Sequence, residues 1–198
     1  MKKYTLLLSS LLTVASLSAV SGQAFAADAT PDANLTGTSK VTATLTAPAD
    51  DKGSLKLTAV PSLDFGTKEI TDQALTMNQT ADGTVSVSDS RGTGAGYTVD
   101  VALTTPFTSG AHTLDGSTLT LFNAGGTSQN NDNKTVAGVT AGVVTDAAAK
   151  NIITAGKDQG MGNWNYNISK STLNVLSGAY AGKYEGQLTW TLKASPNA

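Results

Sequence analysis

From Lys40 onward, short runs of alternating apolar and polar residues recur along the chain. Val41, Ala43 and Leu45 alternate with Thr42, Thr44 and Thr46, and Leu55, Leu57 and Ala59 with Ser54, Lys56 and Thr58. Val85 and Val87 alternate with Thr84, Ser86 and Ser88, and Tyr97, Val99, Val101 and Leu103 with Thr98, Asp100, Ala102 and Thr104. A period of two marks a half-buried strand, one face apolar and one solvated. Ser117 to Phe122, Asn151 to Thr154, Trp164 to Ile168, Thr172 to Leu176 and Gly186 to Lys193 are further candidates. Turn chemistry such as Asp82-Gly83, Arg91-Gly92 and Asp115-Gly116 bounds these runs. Only Asp146 to Lys150 hints at a helix, and it is short. Many short strands without βαβ alternation predict an all-β fold: an antiparallel β-sandwich, Ig-like or a related Greek-key type, with little or no helix.

Two Gly-rich stretches punctuate this pattern. Gly92-Thr93-Gly94-Ala95-Gly96 resembles a phosphate-binding run, but a strand follows where a helix N-terminus is needed, so it reads as a flexible hairpin turn. Gly125 to Lys134 is the longest polar interruption and reads as a long hairpin loop. Its Asn130 to Asn133 offers oxygen ligands, but the glycine and terminal glutamate spacing of an EF-hand is absent, so no metal is assigned.

The N-terminus departs from the strand pattern. Lys2 and Lys3, an apolar stretch from Leu6 to Val20 and the small-x-small triplet Ala24-Phe25-Ala26 read as a signal peptide over 1–26. Five serines and threonines dilute the apolar stretch, which makes it too short and too polar for a membrane helix. Residues 27–39 hold only Leu35 as a sizeable apolar group and read as a flexible leader, with one domain over 40–198. The end of the chain shows neither a hydrophobic tail nor a sorting signal, so surface retention is expected to be non-covalent.

Composition narrows the chemistry. Removing Lys2 and Lys3 leaves 11 basic groups against 15 acidic ones, a net charge of −4, which argues against nucleic acid. There is no cysteine and His112 is the only histidine, so no His/Cys metal cluster can form and a Ser-His-Asp triad would hang on that one residue. His112 follows Gly110-Ala111 and reads as a surface-loop residue. No catalytic residue, metal or cofactor is assigned, and no enzyme is expected.

The cleanest amphipathic run is the last. Tyr184, Leu188, Trp190 and Leu192 form one face; Glu185, Gln187, Thr189, Thr191 and Lys193 form the other, and Pro196 ends pairing because it has no N–H to donate. Here the chain resembles the WxL family of bacterial cell-surface proteins. The distal motif of that family is Tyr, three residues, an aliphatic residue, Thr-Trp-x-Leu, three residues and Pro. Tyr184, Leu188, Thr189, Trp190, Leu192 and Pro196 match it position for position. Val60 to Gly66, Ser88 to Gly92 and Gly160 to Trp164 also look like family landmarks. The proximal motif departs from the family pattern and reads Tyr97-Thr98-Val99.

The resemblance implies a secreted protein associated with the Gram-positive cell wall, binding peptidoglycan non-covalently. It further implies partners among longer WxL proteins and a membrane-anchored WxL-interacting protein. An adaptor subunit or an adhesin for host matrix are the alternatives. For ligand contact the residues themselves offer Arg91, Trp164, Tyr166 and Tyr180. Trp190 shares a face with Leu188 and Leu192, which makes core packing and ligand contact competing roles for it, and the alternation of Trp164 and Tyr166 with asparagines poses the same choice. Tyr180, among small turn residues, is the preferred surface aromatic. Arg91 is either a fork holding its turn to Asp89 or a clamp for a carboxylate ligand.

Overall fold

A computed structural model describes residues 40–46, 54–130, 138–139, 141–144 and 147–194. The segments read as a signal peptide and a leader, together with Asn131 to Asn133, Asp146 and Pro196, fall outside the described residues. The chain divides into Met1–Thr44 and Leu45–Ala198, and every strand among the described residues lies in the second unit.

The strands are β1 (Leu55–Ala59), β2 (Leu75–Asn78), β3 (Gly83–Asp89), β4 (Tyr97–Ser109), β5 (His112–Thr113), β6 (Thr118–Ser128), β7 (Gly138–Val139), β8 (Ala141–Val144), β9 (Lys150–Ala155), β10 (Gly162–Ile168), β11 (Thr172–Val175) and β12 (Glu185–Ala194). One sheet runs β1-β3-β10-β6-β11-β2, with β8 also on β6. The other runs β12-β4-β9-β7, with β5 on β4. All pairings are antiparallel. No helix occurs among the described residues, and the sheets pack face to face as a β-sandwich.

Period two explains the core directly. Val85 and Val87 of β3, Leu119 and Leu121 of β6 and Trp164, Tyr166 and Ile168 of β10 bury the inner face of the first sheet. Tyr97, Val99, Val101 and Leu103 of β4 meet them from the second, with Ile153 and Ala155 of β9. Such alternation is what keeps one face of each strand dry.

Two polar contacts cross this apolar layer. The Tyr97 and Tyr166 hydroxyls lie 2.6 Å apart, and Asn123 of β6 donates through Nδ2 to the Ile152 carbonyl of β9 at 3.3 Å. Both phenol rings lie against backbone that has no side chain. A Cβ on Gly126 would meet Tyr166 Cε1 at 2.5 Å, and one on Gly160 would meet Tyr97 Cε1 at 2.6 Å. Gly160 also has φ +76°, which favours glycine.

Four expectations need correction. Residues 40–46 form no strand, and Val41 and Leu45 are 90% and 97% exposed; alternation creates an apolar face, but a strand also needs a paired neighbour. The 92–96 run is no hairpin turn, because β3 and β4 belong to different sheets and this stretch carries the chain between them. Its glycines are still required: Gly94 has φ +66°, and a Cβ there would meet Asp158 Oδ1 at 2.6 Å. Residues 125–128, expected in a loop, continue β6 beneath the Trp164 and Tyr166 rings. Ala147 to Ala149 are not helical, and Lys150 opens β9.

The tyrosine pair makes a prediction. Tyr97→Phe or Tyr166→Phe alone strands the remaining buried hydroxyl and should cost about 1–3 kcal/mol, whereas the double variant should lose less than the sum. Burial raises both phenol pKa values, Tyr166 to about 12 and Tyr97 further. Raised folded pKa values mean stability that is intact below the unfolded tyrosine value of about 10 and is lost as pH climbs toward the folded values. Denaturation midpoints measured from pH 8 to 12 should fall steeply for the wild type and less for the double phenylalanine variant. Equal slopes would remove the pair as the cause.

Candidate functional site

The two motif segments are neighbours in one ladder. In the β4–β12 pair, Trp190 stands opposite Val101, Leu192 opposite Val99 and Ala194 opposite Tyr97. The proximal Tyr97-x-Val99 and the distal Trp190-x-Leu192 are thus adjacent strands of the same sheet, inward faces aligned. On the outer face Lys193 donates to Asp100 Oδ2 at 2.6 Å, which holds the Asp100 carboxyl below its usual range, and Thr104 and Thr189 share a hydroxyl contact at 2.9 Å.

The two motifs differ in depth. Tyr97 and Val99 are fully buried at the centre of the sandwich, whereas Leu188, Trp190 and Leu192 are half-buried and pack against the core from one side. The cause is position: β12 ends its sheet, and Leu55 and Leu57 of β1, at the end of the other, are half-buried too. The apolar face of the last strand is therefore a partly open rim. Tyr184 precedes β12 and donates its hydroxyl to the Tyr180 carbonyl at 3.0 Å, so this motif residue pins the loop that carries Tyr180.

The upstream landmarks also have physical roles. Trp164 donates through Nε1 to the Met161 carbonyl at 2.9 Å, and neighbouring Gly160 admits the Tyr97 ring. Asp64 accepts from the Gly66 amide at 2.9 Å, and its carbonyl accepts from the Thr80 amide at 2.9 Å, which fastens the 60–66 segment to the link between β2 and β3.

Of the four residues proposed for ligand contact, two are in the core. Trp164 and Tyr166 are 1% and 0% exposed, because the alternation with Asn163, Asn165 and Asn167 turns both rings inward. A ligand meets neither on this surface. Arg91 is a fork. Its Nε donates to Asp89 Oδ1 at 2.9 Å, its Nη2 to Asp89 Oδ2 at 2.7 Å and to the Gly96 carbonyl at 2.7 Å. Asp89 is buried and also accepts from the Arg91 amide at 3.1 Å. Donating to the Asp89 carboxylate raises the arginine's pKa further, so the charge is permanent.

Tyr180 is exposed, at 63%, and has a partner that sequence reasoning missed: the His112 ring stacks on it with centroids 4.1 Å apart and planes inclined by 17°. The two residues are far apart in sequence, and no local signal joins them. A Gly110-Ala111 turn, with φ +59° at Gly110, reverses the chain after β4 and presents His112 opposite Ser109. No group of three or more His, Cys, Asp or Glu side chains suited to a metal occurs among the described residues.

Arg91→Ala should strand the Asp89 carboxylate inside the protein and cost roughly 3 kcal/mol. Thermal unfolding alongside wall co-sedimentation separates the two roles of this residue. A loss of wall binding at unchanged melting temperature would instead make Arg91 a ligand clamp.

No curated protein and no solved structure matches the chain. A family model described as "WxL domain surface cell wall-binding" does match, over residues 13–196, nearly the whole length and including part of the segment read as a signal peptide. With that match and the motif strands paired in register, the chain belongs to the WxL domain family of surface, cell wall-binding proteins.

Proposed function

We propose that this protein is exported, attaches non-covalently to the Gram-positive cell wall with peptidoglycan as its ligand, and performs no catalysis. The observation that carries this reading is the wall-binding family match along nearly the whole chain. The architecture is consistent with it: the two motif segments pair as adjacent strands of one sheet, and Tyr180 stacked on His112 remains at the surface. On this reading the motif maintains the fold that binds, and the ligand is met elsewhere on the surface.

A second reading is favoured by one feature. Among the described residues, β12 pairs only with β4, so its outer edge presents free backbone groups beside half-buried Leu188, Trp190 and Leu192. An unpaired edge with an apolar flank is suited to strand addition by another protein. The protein then acts as an adaptor, docked to a membrane-anchored WxL-interacting protein or to longer WxL proteins in a surface complex.

Purified protein lacking residues 1–26 should pellet with purified Gram-positive walls, both intact and stripped of secondary polymers. Protein that stays in the supernatant in both cases would sink the wall reading. Capture of the membrane-anchored partner in the absence of walls would favour the adaptor.

A further inference from the structure

The His112–Tyr180 stack stands at a cleft of about 400 Å³ at one end of the sandwich, between the β4–β5 hairpin, the Leu114–Ser117 turn and the loop after β11. The same turn borders a second cleft of about 380 Å³ on its other side, where half-buried Phe107 contributes. We propose that this paired cleft is a saccharide-binding subsite, with the Tyr180–His112 stack as the platform for a pyranose ring and the Asp115 and Ser117 side chains as hydrogen-bonding groups. The proposal rests on the wall-binding reading and names the surface and ligand class that would carry it out.

Four observations converge. The first is the exposed aromatic surface. The face of an aromatic ring carries partial negative charge and attracts the C–H groups lining one side of a pyranose. Stacking against His112 and the Tyr184 bond to the Tyr180 carbonyl hold the tyrosine in place, so less conformational freedom is lost on binding.

The second is an orphan hydroxyl. Ser117 Oγ is shielded from solvent and is the buried side-chain polar atom without a hydrogen-bond partner among the described residues. Such groups are uncommon, and one beside a cleft is suited to a ligand hydroxyl or amide. The third is Asp115, exposed and free of ion pairs among the described residues, an acceptor of the kind that sugar hydroxyls engage in pairs.

The fourth is rigidity. The turn closes through the Ser117 amide donating to the Leu114 carbonyl at 3.2 Å, and the Leu114 amide donates to the Phe107 carbonyl at 3.0 Å. Gly116, with φ +71°, lies so close beneath Leu176 that a Cβ would meet Leu176 Cδ1 at 2.7 Å. Aromatic surface, an unsatisfied hydroxyl and a carboxylate on pre-set backbone are the ingredients of a small-ligand site. Two clefts divided by one turn suit successive rings of a glycan chain.

The test compares wild type, Tyr180→Ala, Tyr180→Phe and His112→Ala in three assays: co-sedimentation with intact walls, co-sedimentation with walls stripped of secondary polymers, and titration with chitotetraose followed by NMR. Tyr180→Ala and His112→Ala should weaken binding by about tenfold, the scale of an interfacial anchor, at unchanged melting temperature. Tyr180→Phe, which keeps the ring, should bind as wild type does. In the wild type, chitotetraose should shift the His112 ring resonances.

Loss of binding to intact walls alone would assign the sugar to a secondary polymer, and loss with stripped walls and chitotetraose to the peptidoglycan glycan; both support the subsite. If Tyr180→Ala and His112→Ala bind all three like wild type, the subsite is wrong while wall binding stands. If wild type fails to pellet but chitotetraose shifts His112, the subsite stands and the wall reading falls. If wild type neither pellets nor shifts, both fall.

Discussion

The sandwich depends on one buried contact, the hydroxyl pair of Tyr97 and Tyr166. The chain has no cysteine, so no disulfide ties the sheets together, and apolar packing alone does not dictate how two sheets align. Two phenols meeting at 2.6 Å do, because each hydroxyl is satisfied only when its strand is in place. Gly126 and Gly160 take their meaning from that contact, since each leaves room for one ring. Arg91 and Asp89 fix the crossing from β3 into β4, which delivers Tyr97 to its position.

The family signature has a structural explanation in the same place. A tyrosine heads the proximal motif here, and its hydroxyl is used rather than merely accommodated. The distal motif lies beside it on β12, where it closes one end of the second sheet and half-covers its rim. Residues that look like binding determinants in a linear pattern can therefore be the ones that fix strand register. On the wall-binding proposal, the surface that meets the ligand is composed of residues outside the pattern.

Much of this was legible in the sequence. Period two located β1, β3, β4, the first half of β6, β9, β10, β11 and β12 and gave the inward faces of Val85, Tyr97, Trp164 and their neighbours, because burial on one side of a pleated strand leaves that trace. It was silent where the trace is short, as in the four residues of β2 and the two of β5. It misled at 40–46, where alternation is present and a pairing partner is not. Periodicity also carries no information on which sheet a strand joins, which is why 92–96 resembled a hairpin. The stack of His112 on Tyr180 could not be read at all, since only tertiary structure brings a hairpin after β4 to a loop after β11.

The pairing of β4 with β12 also sets an order in time. Lys193 and Asp100 are 93 positions apart, and the strand at the heart of the sandwich, already able to pair with β9, acquires β12 as its second neighbour only after residues 185–194 have been made. Long-range pairing of this kind delays cooperative folding, because loop closure must precede any reward from the contact. A growing chain thus keeps the β4–β12 ladder open until residues 185–194 have emerged, and β12 acts as the latch that closes this sheet.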